Sequence, residues 1–503
     1  MKPIKLFIYC FLVLLCTGCS DYLDLEPIGT RTEANAYRTE KDAHEAVMAA
    51  YDPLQWIYTS EHTYGLMSFV GDMTSDDSNA GGESAQDLQY FYQFDNLSLM
   101  KNDNGSLRII YRVRFSGIYR VNQALEKIPN IQFSDEALKN RYLAELRFLR
   151  AYYYMDLVRV FGTLPWIDKT IVKESDYKQE LRSAEFIWGK IIEDLLAVSD
   201  VEALPFRKDL DASQWGRITR SGAWAFLAKA YVYTKDWDNA AKYSQMVIDM
   251  EGSEYKLMSH YSDNWAQSKD ILNENTMESI FEVQYSNTSK GTYNRPESSE
   301  GSHMPQLQGP RDLKNSSKYQ SGWGFNLPTR KLYDLYDDND PRRLSVFLTK
   351  EELVKEGTTF NENFLFEGLF NKKYTTILGA SSQDGDEALN WGINYRVMRY
   401  ADLLLLAAEA NCQKTSPDYG KAQTYLNRVR TRSLPGKDIN ASGNDLLEAI
   451  YKERRLELAM EGHRFFDLQR TNRAKDVIQN FNMLVNGYFP LPADEVRISG
   501  WNY

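Results

Sequence analysis

Along most of the chain, apolar residues return every three or four positions, the spacing that places them on one face of a helix. Residues 33–54, 109–128, 138–161 and 183–198 each carry this pattern. In 138–161, Leu143, Leu146, Leu149, Tyr153 and Leu157 fall on or near one face, which predicts a long helix. The clearest unit spans 219–250. Its first half sets Ala223, Ala228 and Ala230 beside Trp224, Leu227 and Tyr231; a turn comes next at 235–238; Ala240, Ala241, Tyr243 and Val247 mark a second helix. Two antiparallel helices packed through alanines read as a diverged tetratricopeptide-type repeat. One pair cannot bury its own faces, so neighbouring pairs are expected to stack on it. Residues 403–411 with 419–432 predict a further pair, and 446–461 a helix packed against it.

Two stretches break the helical rhythm. Residues 286–321 are rich in Ser, Asn, Gly and Pro, and 72–105 is polar with Gly81-Gly82, yet carries Tyr90, Phe91, Tyr92 and Phe94. Long irregular segments in a compact protein are uncommon and often functional, so a binding face built from loops on a helical scaffold is expected.

The start of the chain is of another kind. Lys2 and Lys5 precede the apolar run 6–15, which ends in Cys16-Thr17-Gly18-Cys19. That is a secretory signal, too short for the roughly twenty residues needed to span a bilayer. The small pair before Cys19 resembles a bacterial lipobox, which makes 1–18 the signal and Cys19 the lipidated first mature residue; the bland alternative is an ordinary signal with a chance cysteine. Residues 20–32 read as a tether.

Composition narrows the function. The formal net charge is −11. It becomes more negative once Lys2 and Lys5 are removed, which argues against a nucleic-acid surface. Of four cysteines only Cys412 would remain unmodified, so no internal disulfide is expected, and Cys412 reads as a small buried hydrophobe. The 33 tyrosines and 10 tryptophans suit both sugar stacking and helix cores, and the count does not separate the two.

Several motifs then fall into order. The stretch 450–470, IYKERRLELAMEGHRFFDLQR, resembles the "ER…E…EG.R..DL.R" signature of the SusD/RagB family, the surface glycan- or nutrient-binding lipoproteins of Bacteroidota. Arg399-Tyr400-Ala401-Asp402-Leu403-Leu404 ending in Ala408-Glu409-Ala410 is similar to its "RYAE.LL…AEA" helix. Gly216-Arg217-Ile218-Thr219, Phe161-Gly162-Thr163-Leu164-Pro165 and Asp338-Asn339-Asp340-Pro341-Arg342 match further landmarks, and Cys19-Ser20-Asp21-Tyr22-Leu23-Asp24 its lipidated start. One departure is the end, Ser499-Gly500-Trp501-Asn502-Tyr503, where members often finish near "QNPGY". The resemblance implies a mostly α, SusD-like fold. It would be a scaffold of about four tetratricopeptide-like helix pairs carrying long irregular loops and a few short strands. After the signal, 19–503 would be a single domain with an N-terminal part near 20–235 and a C-terminal part near 275–503. The resemblance also implies a partner, a SusC-like TonB-dependent outer-membrane barrel, and a lipid-anchored place on the extracellular side of the outer membrane.

Candidate site residues rest on chemistry. A sugar ring stacks on an aromatic face while carboxylates, amides or guanidinium groups bond its hydroxyls. Tyr90 and Tyr92 lie two apart, so on an extended segment they would point the same way. Tyr293 and Trp323 lie in or beside the second loop with Asn294, Arg295 and Asn326. Asp76, Asp77 and Asn79 form an acidic loop that borders the ligand platform in family members. These give the ligand set Tyr90, Tyr92, Tyr293, Trp323, Asp76, Asp77, Asn79 and Arg295. Glu453, Glu457 and Glu461, spaced by four on one helix stripe with Arg454, Arg464 and Arg470 nearby, read as a structural ion-pair network. Asp337-Asp338-Asn339-Asp340 has the acids of a calcium loop. It lacks the Gly and distal Glu of an EF-hand, so it reads as a turn before Pro341. The five histidines show no metal-ligand spacing, and no cofactor or catalytic motif appears. The reading is a non-catalytic oligosaccharide-capturing lipoprotein. Its rivals are a peptide-binding RagB-like importer subunit, a surface hydrolase, and a scaffold that only closes the barrel.

Overall fold

The structure is a computed structural model that describes residues 36–59, 63–173, 176, 178–294 and 299–501. The expected signal, Cys19 and Arg295 lie outside the described residues.

Among the described residues, nine long helices form the scaffold: α1 (Glu40–Tyr51), α2 (Gly105–Lys127), α3 (Glu136–Phe161), α4 (Ala184–Ser199), α5 (Arg220–Thr234), α6 (Trp237–Ile248), α7 (Tyr400–Gln413), α8 (Tyr419–Ser433) and α9 (Gly443–Glu457). The first eight pack as four pairs, α1–α2, α3–α4, α5–α6 and α7–α8, and each pair leans on the next in chain order. The fold is thus the expected mostly α scaffold of four pairs with a few short strands. The termini are set locally. Thr39 caps α1 by accepting from the Asp42 amide, while the Asp42 carboxylate accepts from the Thr39 amide. Ser183 and Thr219 cap α4 and α5. The turn expected at 235–238 is made by Lys235, left-handed at φ 61°, and by Asp236, whose side chain caps α6.

The pairs bury nearly everything apolar. Every residue from Tyr400 to Cys412 is buried. Phe148, Tyr152, Phe226 and Phe281 meet edge to face between α3, α5 and the strand Ser279–Val283. Such contacts add about 0.5–1.5 kcal/mol each beyond their area. Cys412 is buried, as expected of a small hydrophobe.

The scaffold order survives an excursion. Residues 249–399 separate α6 from α7, yet the two helices pack directly on each other. The strands Ser279–Val283 and Tyr395–Arg399 close the excursion by pairing antiparallel, and Arg399 leads straight into α7. Everything in 284–394 therefore projects from one closed neck. Four other two-stranded pairs occur among the described residues, including Ser78–Gly81 with Phe325–Pro328, which joins the two irregular stretches to each other. No described helix is long and apolar enough to cross a membrane.

Two sequence expectations change here. The stretch 72–105 is not one irregular loop, because it contains the helix Gln89–Asp95. The last scaffold helix stops at Glu457, and Met460 and Gly462 adopt positive φ beyond it. Glu461 therefore lies off the stripe that carries Glu453 and Glu457.

Candidate functional site

Six aromatic rings from five segments converge in one cluster. In the register of a short antiparallel pair, Tyr58 opposes Tyr64, with ring centroids 5.0 Å apart. Tyr64 stacks flat on His303, 4.6 Å away at an interplanar angle of 4°. Trp323 meets His303 edge to face at 5.0 Å and Tyr64 at 6.0 Å. Tyr293 packs on Tyr58 at 5.3 Å and on His303 at 6.2 Å. The Tyr90 hydroxyl accepts from the Tyr64 amide at 3.3 Å. Tyr58, Tyr64 and His303 form the buried floor, at 6%, 3% and 1% exposure. Tyr90, Tyr293 and Trp323 are half-buried, so each presents part of its ring at the surface.

The electrostatics of this cluster are neutral. Burial, reinforced by the neighbouring tyrosines Tyr293, Tyr90 and Tyr58, pushes the Tyr64 hydroxyl up. Burial also pushes Tyr293 up to about 12, against a hydrogen bond from Tyr64. His303 is driven down to about 3 by burial, against a weaker pull from the Ala388 backbone. Neither ring nitrogen meets a partner in good hydrogen-bond geometry among the described residues. A neutral imidazole, stacked on Tyr64 and met by the edges of Tyr293 and Trp323, makes the floor slightly polar without adding charge.

Backbone geometry holds the rim. Gly82 donates to the Gly324 carbonyl at 2.8 Å, and a Cβ on Gly81 would sit 2.2 Å from that oxygen. Only glycine at 81 lets the Ser78–Gly81 strand approach the segment that presents Trp323. Arg311 donates Nε to the Trp323 carbonyl at 3.0 Å while pairing with Asp87 and Glu83, so its charge is already met. The Tyr293 amide donates to Asp386 Oδ2 at 2.7 Å. Buried Asn390 exchanges two hydrogen bonds with Gly291, N–H to Oδ1 and Nδ2 to carbonyl, each 3.0 Å. The 384–390 turn thereby fixes the segment that carries Tyr293.

Of the expected ligand residues, Tyr90, Tyr293 and Trp323 come together. Tyr92 does not: on a helix, residues two apart point to different sides, and its ring packs on Phe364 at 5.3 Å. Asp76 and Asp77 are committed elsewhere. Arg455 reaches both, and Arg464 and Lys331 reach Asp76, at 2.5–2.9 Å. Burial raises Asp76, but Arg464 and Arg455 outweigh it and hold the carboxyl at about 2. Asp77 is 1% exposed and has no surface to offer a ligand. Asn79 donates to the Leu365 carbonyl and to Glu367. Asn326 is buried, bonded to Ser78, Asp72 and Gln308. Sequence reasoning missed Tyr58, Tyr64, His303, Asp386 and Asn390. The density of Tyr51, Trp56, Tyr58 and Tyr64 was a usable signal for the first two; the buried histidine and the clamp left none.

The acidic series behaves as the structural network it was expected to be, with different partners. Arg342 binds Asp340, Glu453 and Glu457. Arg399 binds Glu278, Glu457 and Glu461. Arg432 binds Glu278 and Glu457, and Lys373 binds Glu461. Arg454, Arg464 and Arg470, the neighbours in sequence, serve Asp402, Asp76 and Glu409 instead. Burial raises Glu457, but Arg432, Arg399 and Arg342 hold it down to about 2. Asp340 accepts from the Arg342 amide at 3.0 Å, the turn expected before Pro341.

Two family models match the chain in succession. One described as "Starch-binding associating with outer membrane" matches residues 21–232, and one described as "SusD family" matches 277–496. SusD-like protein P2 of Formosa agariphila is 26% identical over 521 aligned positions, covering 97% of this chain and 96% of its own length. Among solved structures, a laminarin-binding SusD-like protein superposes with a TM-score of 0.81 at 29% identity, covering 92% of this chain and 98% of its own. Surface glycan-binding protein A from Bacteroides thetaiotaomicron, in complex with laminarihexaose, gives 0.80 at 27% identity over 91% of this chain and 97% of that one.

Proposed function

The chain belongs to the SusD-like family, and we propose that it is a surface lipoprotein that captures an oligosaccharide on the Tyr64–Trp323 cluster. The observation that carries this reading is the convergence of Tyr90, Tyr293 and Trp323, half-buried and from three distant segments, on one buried ring floor. Rings held edge-on in this way offer apolar faces to the C–H side of a pyranose at little entropic cost. One solved neighbour described as laminarin binding and another in complex with laminarihexaose support the same ligand class.

Capture breaks no bond. The groups of the cluster stack, accept and donate, and the ligand leaves unchanged. Release goes to a SusC-like TonB-dependent barrel, over which the protein acts as a lid. Cys19 anchors it by lipid to the outer membrane, on the extracellular side, in keeping with the family description "associating with outer membrane". Because three partly exposed rings bury limited area, affinity is modest, which suits a protein that must also release.

The test is calorimetry of the purified protein against neutral and anionic glycans and a peptide panel, with the ligand recovered and chromatographed afterwards. Glycan binding that disappears in Trp323→Ala, with intact ligand recovered, supports capture at this cluster. Peptide binding indifferent to Trp323→Ala would favour the peptide importer, and shortened ligand would mean hydrolysis.

A further inference from the structure

The 384–390 turn has two sides. One holds Tyr293 through Asp386 and Asn390. The other borders a cleft of about 670 Å³ whose walls include Lys269, Gln320, Leu378, Gly379, Gln383 and Glu387. That volume is within the range of small-molecule sites.

Two chain segments run from the cluster into this cleft. Asp386, which holds the Tyr293 amide, is followed directly by Glu387 of the cleft wall. Gln320, on the opposite wall, is three residues from Trp323, a span of at most roughly 11 Å. The segments are tied where they cross: Gln320 Nε2 donates to Glu387 Oε1 at 2.6 Å, and the Gly379 amide donates to Gln320 Oε1 at 2.8 Å. The cluster and the cleft thus share a rim.

The Glu387 carboxylate is set for recognition. Gln320, Ser381 and Gln383 all donate to Oε1, which fixes the group and leaves Oε2 to accept from a ligand. Beside it, Leu378 is 45% exposed, an apolar surface with no burial to explain it. An oriented acceptor next to a small apolar surface is what a sugar ring requires, with its hydroxyls at the edge and C–H bonds on the face.

We infer that this cleft is a second saccharide subsite, continuous with the aromatic cluster, in which Glu387 accepts ligand hydroxyls and Leu378 supports the ring. The inference rests on the glycan-capture reading and adds a length requirement: one glycan chain crosses the Gln320–Glu387 rim and occupies both parts. A short oligosaccharide fills the cluster alone, and each unit that reaches the cleft tightens binding.

Calorimetry with laminaribiose, laminaritetraose and laminarihexaose tests this; if the panel selects another glycan, the matching length series replaces them. In the wild type, affinity is expected to rise about tenfold or more with length, in the range of one hydrogen bond to a charged group. Glu387→Gln keeps an acceptor for the three tying donors but turns the free oxygen into a donor. Leu378→Asp alters only an exposed surface. In both variants the length-dependent gain is expected to vanish while the melting temperature stays near wild type. Binding that is abolished by Trp323→Ala but gains nothing with length, or gains equally in both variants, overturns the subsite and leaves the capture reading standing. Failure of the wild type to bind any glycan overturns both.

Discussion

The ion-pair network and the aromatic cluster solve opposite problems with opposite materials. In the network, Arg342, Arg399, Arg432 and Lys373 lie at 5% side-chain exposure or less, and each meets one or more carboxylates from distant segments. Charges this deep are tolerated only when every partner is present, so the network fixes how the neck, α8 and α9 meet. The cluster carries no charge, its rings pack at several angles, and its buried histidine has no ionic partner. Packing of that kind tolerates adjustment and leaves ring surface available. The most motif-like residues of the chain are therefore those that hold it together, and the residues suited to binding are spread where no motif marks them.

The sharpest way to break this comparison is to remove one network charge. Arg399→Ala leaves Glu278, Glu457 and Glu461 each short of one buried partner and is expected to cost about 3–5 kcal/mol or prevent folding, read by denaturant unfolding. A cost below about 1 kcal/mol would mean the network is dispensable. Acid probes the same contrast. Glu457, Asp467 and Asp76 sit at about 2 in the folded protein, against roughly 4 when unfolded. Their stabilisation is present above about pH 4 and is lost as pH falls towards 2, at about 2–3 kcal/mol for each carboxylate. Between pH 4 and 7 two trends oppose. Buried His463 and His303, lowered to about 4 and 3, favour the folded state more as pH rises towards 6.5. Asp72 and Glu274, raised by burial to about 7, and Asp95, raised to about 6, favour it less as pH rises. Melting temperature should be nearly flat there and drop steeply below pH 4.

On the binding side, Trp323→Ala should weaken glycan affinity about tenfold or more with little change in melting temperature. Affinity should also be level from pH 5 to 8, because neither Tyr293, at about 12, nor His303, at about 3, changes charge in that range. The smallest effect separates two tyrosines on one short helix. Tyr92→Ala, facing Phe364, should leave affinity unchanged and cost about 1 kcal/mol of stability, whereas Tyr90→Ala should reduce affinity. Equal losses from both would show that the helix presents a different side to the ligand.

Legibility in the sequence divides along the same line. The helix pairs were legible because burial repeats every three or four residues, and the 235–238 turn because Asp236 can cap the helix that begins at Trp237. The Glu453–Glu461 series was legible as structural, but not its partners, since Arg342 and Arg399 arrive from distant segments. Tyr293 and Trp323 were found because aromatics are conspicuous in polar loops. The Tyr92 error came from assuming extended backbone where a seven-residue helix forms. Asp76 and Asp77 looked available because nothing local announces Arg455 and Arg464, almost four hundred residues away.

One contact sets the timetable by which this molecule can mature. Gly71 lies so close to Gly462 that a Cβ would fall 2.0 Å from its carbonyl oxygen, and Asp72 accepts from the Gly462 amide across 390 positions. A chain made from its N-terminus cannot seat the segment that precedes the Ser78–Gly81 strand until nearly all of it has arrived. Loop closure over that span is slow and leaves partly folded species waiting for their C-terminus. Chains cut short before residue 462 should therefore be substrates for quality control, even with all of the aromatic cluster present in sequence.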